Sequence, residues 1–276
     1  MDRKQIVRAE QIELDAMRDM FDAPATEVAG GLGLNAGWIG GAWAFGSRAL
    51  TDVIFNRVMG LGLFAPARRD DLARIAEGYR AGGVDRHLVQ LAPQAQPAEL
   101  GGWLEEAGYR PFRRAWAKFF RKPQWIDAAG PPSLAAVEIG PERAADFARI
   151  IGQAYGLPDA AAPLLTALPG RSSWLCYLAV DGGRPIGAAA MFARGREAWL
   201  GLAATDPSAR GRGAQTLLLA RRISDAARLG AGEVYTETGE PVEGEPQPSY
   251  KNIVKAGFKP IYSRANLISG TAVATS

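Results

Sequence analysis

Residues 197–229 decide the fold: EAWLGLAAT at 197–205, DPSA at 206–209, RGRGAQ at 210–215 and TLLLARRISDAARL at 216–229. The first part is a short apolar run ending in Thr205, the pattern of a buried strand. Asp206, Pro207 and Ser208 break it. A glycine-containing turn follows and leads at once into a helix. Leu217, Leu218, Ala220, Ile223, Ala226 and Ala227 give that helix an apolar side. Arg221, Arg222, Ser224, Asp225 and Arg228 are expected on its wet side.

A strand, a glycine turn and a helix start make an anion site. The first amides of a helix lack partners within it and carry the positive end of its dipole, so a phosphate fits there. Gly211 and Gly213 permit positive φ and close approach. Arg210 and Arg212 add charge at the rim. The dinucleotide fingerprint needs Gly or Ala where this chain has Thr216, and no Gly-Lys-Ser/Thr follows for a nucleotide-hydrolase loop. Gly60, Gly62 and Ala65 also satisfy G-x-G-x-x-A, but no acidic residue follows at the required distance. Those glycines read as relief of crowding in a strand.

The loop resembles the coenzyme A loop of the GNAT superfamily of N-acetyltransferases, Arg/Gln-x-x-Gly-x-Gly/Ala. Arg210 and Gly213 take the first two defined places, and Gln215 departs from the last. The late segment SYKNIVKAGF at 249–258 is similar to the family's helix followed by Gly-Phe. The order of elements over 134–268 also resembles a GNAT domain: strand, two helices, antiparallel strands, glycine loop, helix, strand, short helix, strand.

The first half repeats the unit. WLEEAGYRPF at 103–112 matches NIVKAGFKPI at 252–261 in its Ala-Gly, aromatic, basic and Pro positions. Strand, turn, helix, strand recurs at 55–91 against 197–238. In the first copy the loop position holds Pro66, Asp70 and Asp71, which do not suit a phosphate. The chain is therefore expected to be α/β (α+β), with two tandem GNAT-like domains. Each carries a mixed, mostly antiparallel sheet flanked by helices. A run from 122 to 133, with Pro123, Gly130, Pro131 and Pro132 and no periodicity, reads as a linker. The domains are placed at 1–125 and 134–276, with the linker at 126–133. In the first domain, helices are expected at 10–21, 69–81 and 96–107, and strands at 42–45, 55–64, 87–91 and 109–120.

Composition bounds the function. The 276 residues are 47% hydrophobic and 22% charged with net charge +3, as in an ordinary globular protein. Neither half is a polycation, so no nucleic-acid partner is expected. The basic run of Arg110, Arg113, Arg114, Lys118, Arg121 and Lys122 reads as the wet face of a strand. A single cysteine, Cys176, excludes an internal disulfide, and with a single histidine, His87, it excludes a Cys/His zinc site. His87 reads as a core or surface residue. No apolar run approaches the ~20 residues of a membrane span, and the charged start is not a signal peptide. A cytoplasmic protein, monomeric or weakly dimeric, is expected.

The resemblance implies acyl transfer from acetyl-coenzyme A to a small-molecule amine. It places the pyrophosphate on the amides of Arg210, Gly211, Arg212, Gly213, Ala214, Gln215 and Thr216. It places the pantetheine along Ala203, Ala204 and Thr205, with Ser249 and Asn252 near the cofactor's path. It implies a splay between this strand and the next, whose free amides polarise the thioester carbonyl. Glu237, at the end of the splayed strand, is the preferred general base and Glu240 the other candidate. The family often protonates the leaving thiolate with a Tyr four residues before Gly-Phe. Here that place is Ile253, so Tyr250, one turn earlier, is the candidate acid. The first copy is expected to shape the acceptor pocket. A non-catalytic acyl-coenzyme A sensor is the alternative.

Overall fold

A computed structural model describes residues 2–126 and 133–270. The elements in chain order are α1 (Arg3–Phe21), α2 (Thr26–Leu32), β1 (Leu34–Ile39), β2 (Ala42–Ser47), β3 (Arg57–Met59), α3 (Arg69–Ala81), β4 (Leu88–Leu91), α4 (Leu100–Glu106), β5 (Arg110–Pro111) and β6 (Trp116–Arg121). Then come β7 (Leu134–Ile139), α5 (Ala144–Tyr155), α6 (Ala162–Thr166), β8 (Trp174–Asp181), β9 (Arg184–Arg194), β10 (Glu197–Thr205), α7 (Ala214–Arg228), β11 (Glu233–Gly239), α8 (Pro248–Lys255) and β12 (Lys259–Ile268). The expected linker lies, from 127 to 132, outside the described residues.

The chain forms two compact units, divided within β6 and again within β12. The first contains the residues up to Ala117 together with the segment from Tyr262 on, and the second is Lys118–Ile261. This differs from the consecutive halves expected from the sequence. The reason is pairing: Ala265–Ile268 of β12 bond antiparallel to Leu91–Leu88 of β4.

In the first unit the strands run β1-β2-β3-β4-β12, with β5 beside β12. β3 and β4 pair in parallel, while β1–β2, β2–β3, β4–β12 and β5–β12 are antiparallel. Val58, Val89 and Leu267 pack with Leu72, Ile75 and Tyr79 of α3 and Leu104 of α4. The expected strand at 55–64 is only three residues long, because Gly60 and Gly62 take positive φ and turn the chain. The expected strand at 109–120 is interrupted at Arg113, which has φ 52°. The repeat noted in the sequence has a structural basis. Gly108 and Gly257 end α4 and α8 with φ of 90° and 83°, and each is followed by a buried aromatic, Tyr109 or Phe258.

A charged cluster lies inside this unit. Arg264 of β12 donates to Glu10 at 2.7 Å and to Glu13 at 2.6 Å, all three being buried. Arg57 of β3 lies 3.6 Å from Glu13. The Tyr262 hydroxyl donates to Glu10 at 2.6 Å. The two cations balance the two carboxylates, the condition under which buried charge is tolerated.

In the second unit the order is β6-β11-β10-β9-β8-β7. β10 and β11 are parallel, and β7, β8, β9 and β10 are joined by antiparallel pairings. Helix α5 buries Phe147, Ile150 and Ile151, and α7 buries Leu218, Leu219, Ile223 and Ala226. Both helices contact β9 and β10. They cover opposite faces. Gly187 and Tyr177 turn toward Leu218 and Asp225 of α7, whereas Trp174, Phe192 and Trp199 occupy the alternate positions.

His87 is buried, with its Nε2 2.7 Å from the Tyr109 hydroxyl and its ring stacked on Tyr79 at 3.8 Å. Burial pulls its pKa from 6.5 down to about 4. Between those values the unfolded chain binds a proton that the folded chain does not, so stability falls as pH drops through that window. At about 1.4 kcal/mol per unit the loss is on the order of 3 kcal/mol. Chemical denaturation of wild type and His87→Gln at pH 7 and pH 4 is expected to show a smaller pH-dependent loss in the variant.

Candidate active site

The site begins where β10 and β11 separate. Their parallel pairing runs from Glu197↔Glu233 to Leu200↔Thr236 and then ends. Beyond it β10 reaches Thr205 and β11 reaches Gly239 without pairing to each other. The cause is a bulge. The register of β10 against β9 shifts between Gly201 and Ala204, and Leu202 takes φ 47°. A non-glycine residue held there costs about 1–3 kcal/mol and persists only where its surroundings impose it.

Two groups hold the bulge. Arg222 of α7, expected on the wet side of its helix, is fully buried. Its Nη1 donates to the Ala190 carbonyl at 3.0 Å and the Gly201 carbonyl at 3.3 Å, and its Nε donates to Leu218 at 3.0 Å. Burial lowers its pKa to about 10, so it stays charged at neutral pH. The second group is Tyr155, the last residue of α5, whose hydroxyl donates to the Ala203 carbonyl at 3.2 Å. The Ala204 carbonyl turns toward Gly187 of β9, and the Asp206 amide bonds Ile186. By alternation, Ala203 and Thr205 present their backbone to the open edge and Ala204 does not.

Glu237 stands at the end of β11. Its Oε2 accepts from Lys118 Nζ at 2.6 Å and from Trp199 Nε1 at 3.2 Å. Lys118 is fully buried, which corrects its expected place on a wet strand face. Arg121 is likewise buried, donating to the Ala256 carbonyl. Trp199 also explains Gly201: a Cβ there would meet the indole ring at 2.0 Å. Glu237 therefore sits on the α5 face, with Trp199 and Lys118. Glu240 lies one residue beyond β11 in the following loop.

Tyr250 is on the other face. Its ring meets Phe119 edge-on, with centroids 5.0 Å apart, and Phe119 alternates with Lys118 along β6. The two expected catalytic residues are thus separated by the sheet. Ile253, at the position where the resemblance looked for a tyrosine, is buried in α8.

The glycine loop ends at the α7 N-terminus. Gly211 and Gly213 have φ of 79° and 87°. No side chain caps α7, which leaves the amides of Ala214, Gln215 and Thr216 without helical partners. Beside Gly211 an added Cβ would meet nothing within 4 Å, and beside Gly213 only Leu134 at 3.9 Å. The loop is open outward, which fits a phosphate cradle. Arg210 is exposed. Arg212 is paired with Asp181, so its charge is already compensated. Gln215 connects the loop to α8. Its Nε2 donates to Ser249 Oγ at 3.3 Å, and its Oε1 accepts from Asn252 Nδ2 at 2.7 Å. The fold thus joins three expected site residues in one hydrogen-bonded chain. Among the described residues no group of three or more metal-ligating side chains occurs, and no helix is long and apolar enough to cross a membrane.

Residues 145–245 match the model of the Acetyltransferase (GNAT) family. The second unit carries a GNAT domain. Known structures extend the fold likeness to the whole chain. A GCN5-related N-acetyltransferase from Kribbella flavida superposes with a TM-score of 0.67 at 18% identity, over 96% of this chain and 97% of its own. A tandem GNAT protein from the clavulanic acid biosynthesis pathway gives 0.56 at 19% identity, over 80% and 76%. A GCN5-related N-acetyltransferase from Sphaerobacter thermophilus gives 0.55 at 17% identity, over 71% and 64%. No curated protein matches. The expected tandem GNAT arrangement of mixed sheets is the one observed.

Two elements of the candidate site were not legible in the sequence: Arg222 beneath the bulge and Tyr155 at its open edge. Arg222 sits between polar neighbours in a helix, and Tyr155 ends an unremarkable one. Removing one member of the Lys118–Glu237 pair leaves a buried charge and is expected to cost about 3–5 kcal/mol. Chemical denaturation of Lys118→Met, Glu237→Leu and the double variant should show most of the single losses recovered in the double.

Proposed function

We propose that the second unit transfers the acetyl group of acetyl-coenzyme A directly to the amine of a small molecule. The observation that carries this reading is the Leu202 bulge. It opens β10 from β11 directly upstream of an uncapped, glycine-flanked helix start. One strand edge and one helix terminus thereby offer unpartnered amides a few residues apart in sequence.

Each part has a chemical use. The amides at the start of α7, with Gly211 and Gly213 leaving room, bind the pyrophosphate, and Arg210 adds charge. The Gln215–Ser249–Asn252 chain fixes α8 against the loop and lines the cofactor's path. The open edge at Ala203 and Thr205 pairs with the amides of the pantetheine arm. Backbone donors at the bulge polarise the thioester carbonyl, and Arg222 holds those donors in place beforehand. The acetyl group is the chemistry that the coenzyme supplies.

Glu237 takes a revised part. A carboxylate that already accepts from Lys118 and Trp199 is fixed by them at the wall of the splay. There it orients the incoming amine rather than serving as a mobile base. Tyr250 packs on Phe119 on the opposite face of the sheet, the side of α8.

The buried Ile253 favours one other reading, a sensor that binds acyl-coenzyme A without turnover. Thiol release from acetyl-coenzyme A, followed across a panel of primary amines, separates the two. Amine-dependent release is expected, and binding without release by any amine would establish the sensor. Gly213→Asp places a Cβ and a negative charge in the cradle. Calorimetry should show coenzyme A affinity reduced by at least about 100-fold, or 2.7 kcal/mol, with far-UV circular dichroism unchanged. Unaltered affinity would remove the loop from the site.

A further inference from the structure

The acyl transfer proposed above ends with a thiolate that needs a proton, and the position where the resemblance looked for the donor holds buried Ile253. Tyr250 is engaged with Phe119 on the α7 and α8 side of the sheet. One other tyrosine reaches the splay. Tyr155 closes α5, and its hydroxyl donates to the Ala203 carbonyl at 3.2 Å. That carbonyl belongs to the open edge of β10, because its neighbour at Ala204 turns to β9. The hydroxyl therefore sits in the gap left by β11. The residue is 44% exposed overall, while its hydroxyl end is desolvated.

We infer that Tyr155 is the catalytic acid of this site, donating its hydroxyl proton to the sulfur as the carbon–sulfur bond breaks. The inference rests on the acetyl-transfer reading. The nitrogen lone pair of the neutral amine forms the new carbon–nitrogen bond. The electrons of the carbon–sulfur bond leave on sulfur. The phenol proton moves to that sulfur and gives a free thiol. The phenolate recovers a proton from the nitrogen, which has become cationic on forming its new bond. The products are a neutral amide and coenzyme A, and no further reactant is needed.

The surroundings suit a donor that regains its proton. Burial raises the pKa of Tyr155. The bond to Ala203 and the charge of Arg222 oppose that rise, and Glu237 adds to it. The phenol is thus protonated at neutral pH, ready to donate. The charged groups facing it are Arg222 from α7 and Glu237 from β11, the latter already paired with Lys118 from β6. The Arg222 charge steadies the transient phenolate.

The test is Tyr155→Phe, which keeps the ring and removes only the hydroxyl. Its first readout needs no acceptor: the pKa of the thiol of bound coenzyme A, from the pH dependence of its alkylation by iodoacetamide. Loss of a donor to the thiolate is expected to raise that pKa by about one unit, with coenzyme A affinity changed less than about threefold. The second readout is thiol release from acetyl-coenzyme A with amines that wild type accepts. There kcat should fall about 100-fold and KM for acetyl-coenzyme A should hold. An unshifted thiol pKa with intact binding, or an unchanged kcat, overturns the assignment of Tyr155 and leaves the acetyl-transfer reading standing. Failure of wild type to bind coenzyme A overturns both.

Discussion

Arg222 is the interaction on which the second unit depends. A strand departs from its neighbour only if something else takes up its backbone groups, because a buried unpaired carbonyl costs about 1–3 kcal/mol. The guanidinium supplies that substitute by donating to Ala190 on β9 and Gly201 on β10 from beneath the sheet. It is pulled down from its ordinary pKa by burial yet remains a cation. The charge is tolerated because it meets carbonyl dipoles in a fixed arrangement. The strained Leu202, the open edge at Ala203 and the place of the Tyr155 hydroxyl all follow from that anchor.

The same logic governs the other buried charges. Lys118 and Glu237 meet at the end of β11, where the pair, with the Trp199 indole, fixes the wall of the splay. Gly201 has no Cβ because the Trp199 ring lies against it, so the indole and the bulge are set together. In the first unit, Arg264 with Glu10 and Glu13 ties the last strand to the first helix. The chain therefore returns to its own beginning. Its compact units do not follow sequence order, even though the repeated segments do.

The residues of the candidate site are distributed over the two faces of one sheet. The glycine loop and the Gln215–Ser249–Asn252 chain belong to the α7 and α8 side. Tyr155, Glu237 and Trp199 belong to the α5 side. The splay, where β10 and β11 cease to pair, lies between these two sets of residues.

The class of fold, the repeat and the glycine turn before α7 were legible in the sequence, since these depend on local rules. Glycines at 211 and 213 followed by a helix, and the Ala-Gly-aromatic recurrences near 107 and 256, are written in a few adjacent residues. Helix boundaries such as 69–81 followed from periodicity and caps. Tertiary structure decided everything that rests on contacts between distant residues. Charged side chains read from sequence as wet, and Arg222, Lys118 and Arg121 are buried because carbonyls and a carboxylate from other elements meet them there. The bulge at Leu202 has no local signal, since its cause lies in a helix 20 residues on. The pairing of β12 with β4 depends on a hydrogen-bond register across more than 170 residues, a distance over which periodicity carries no information.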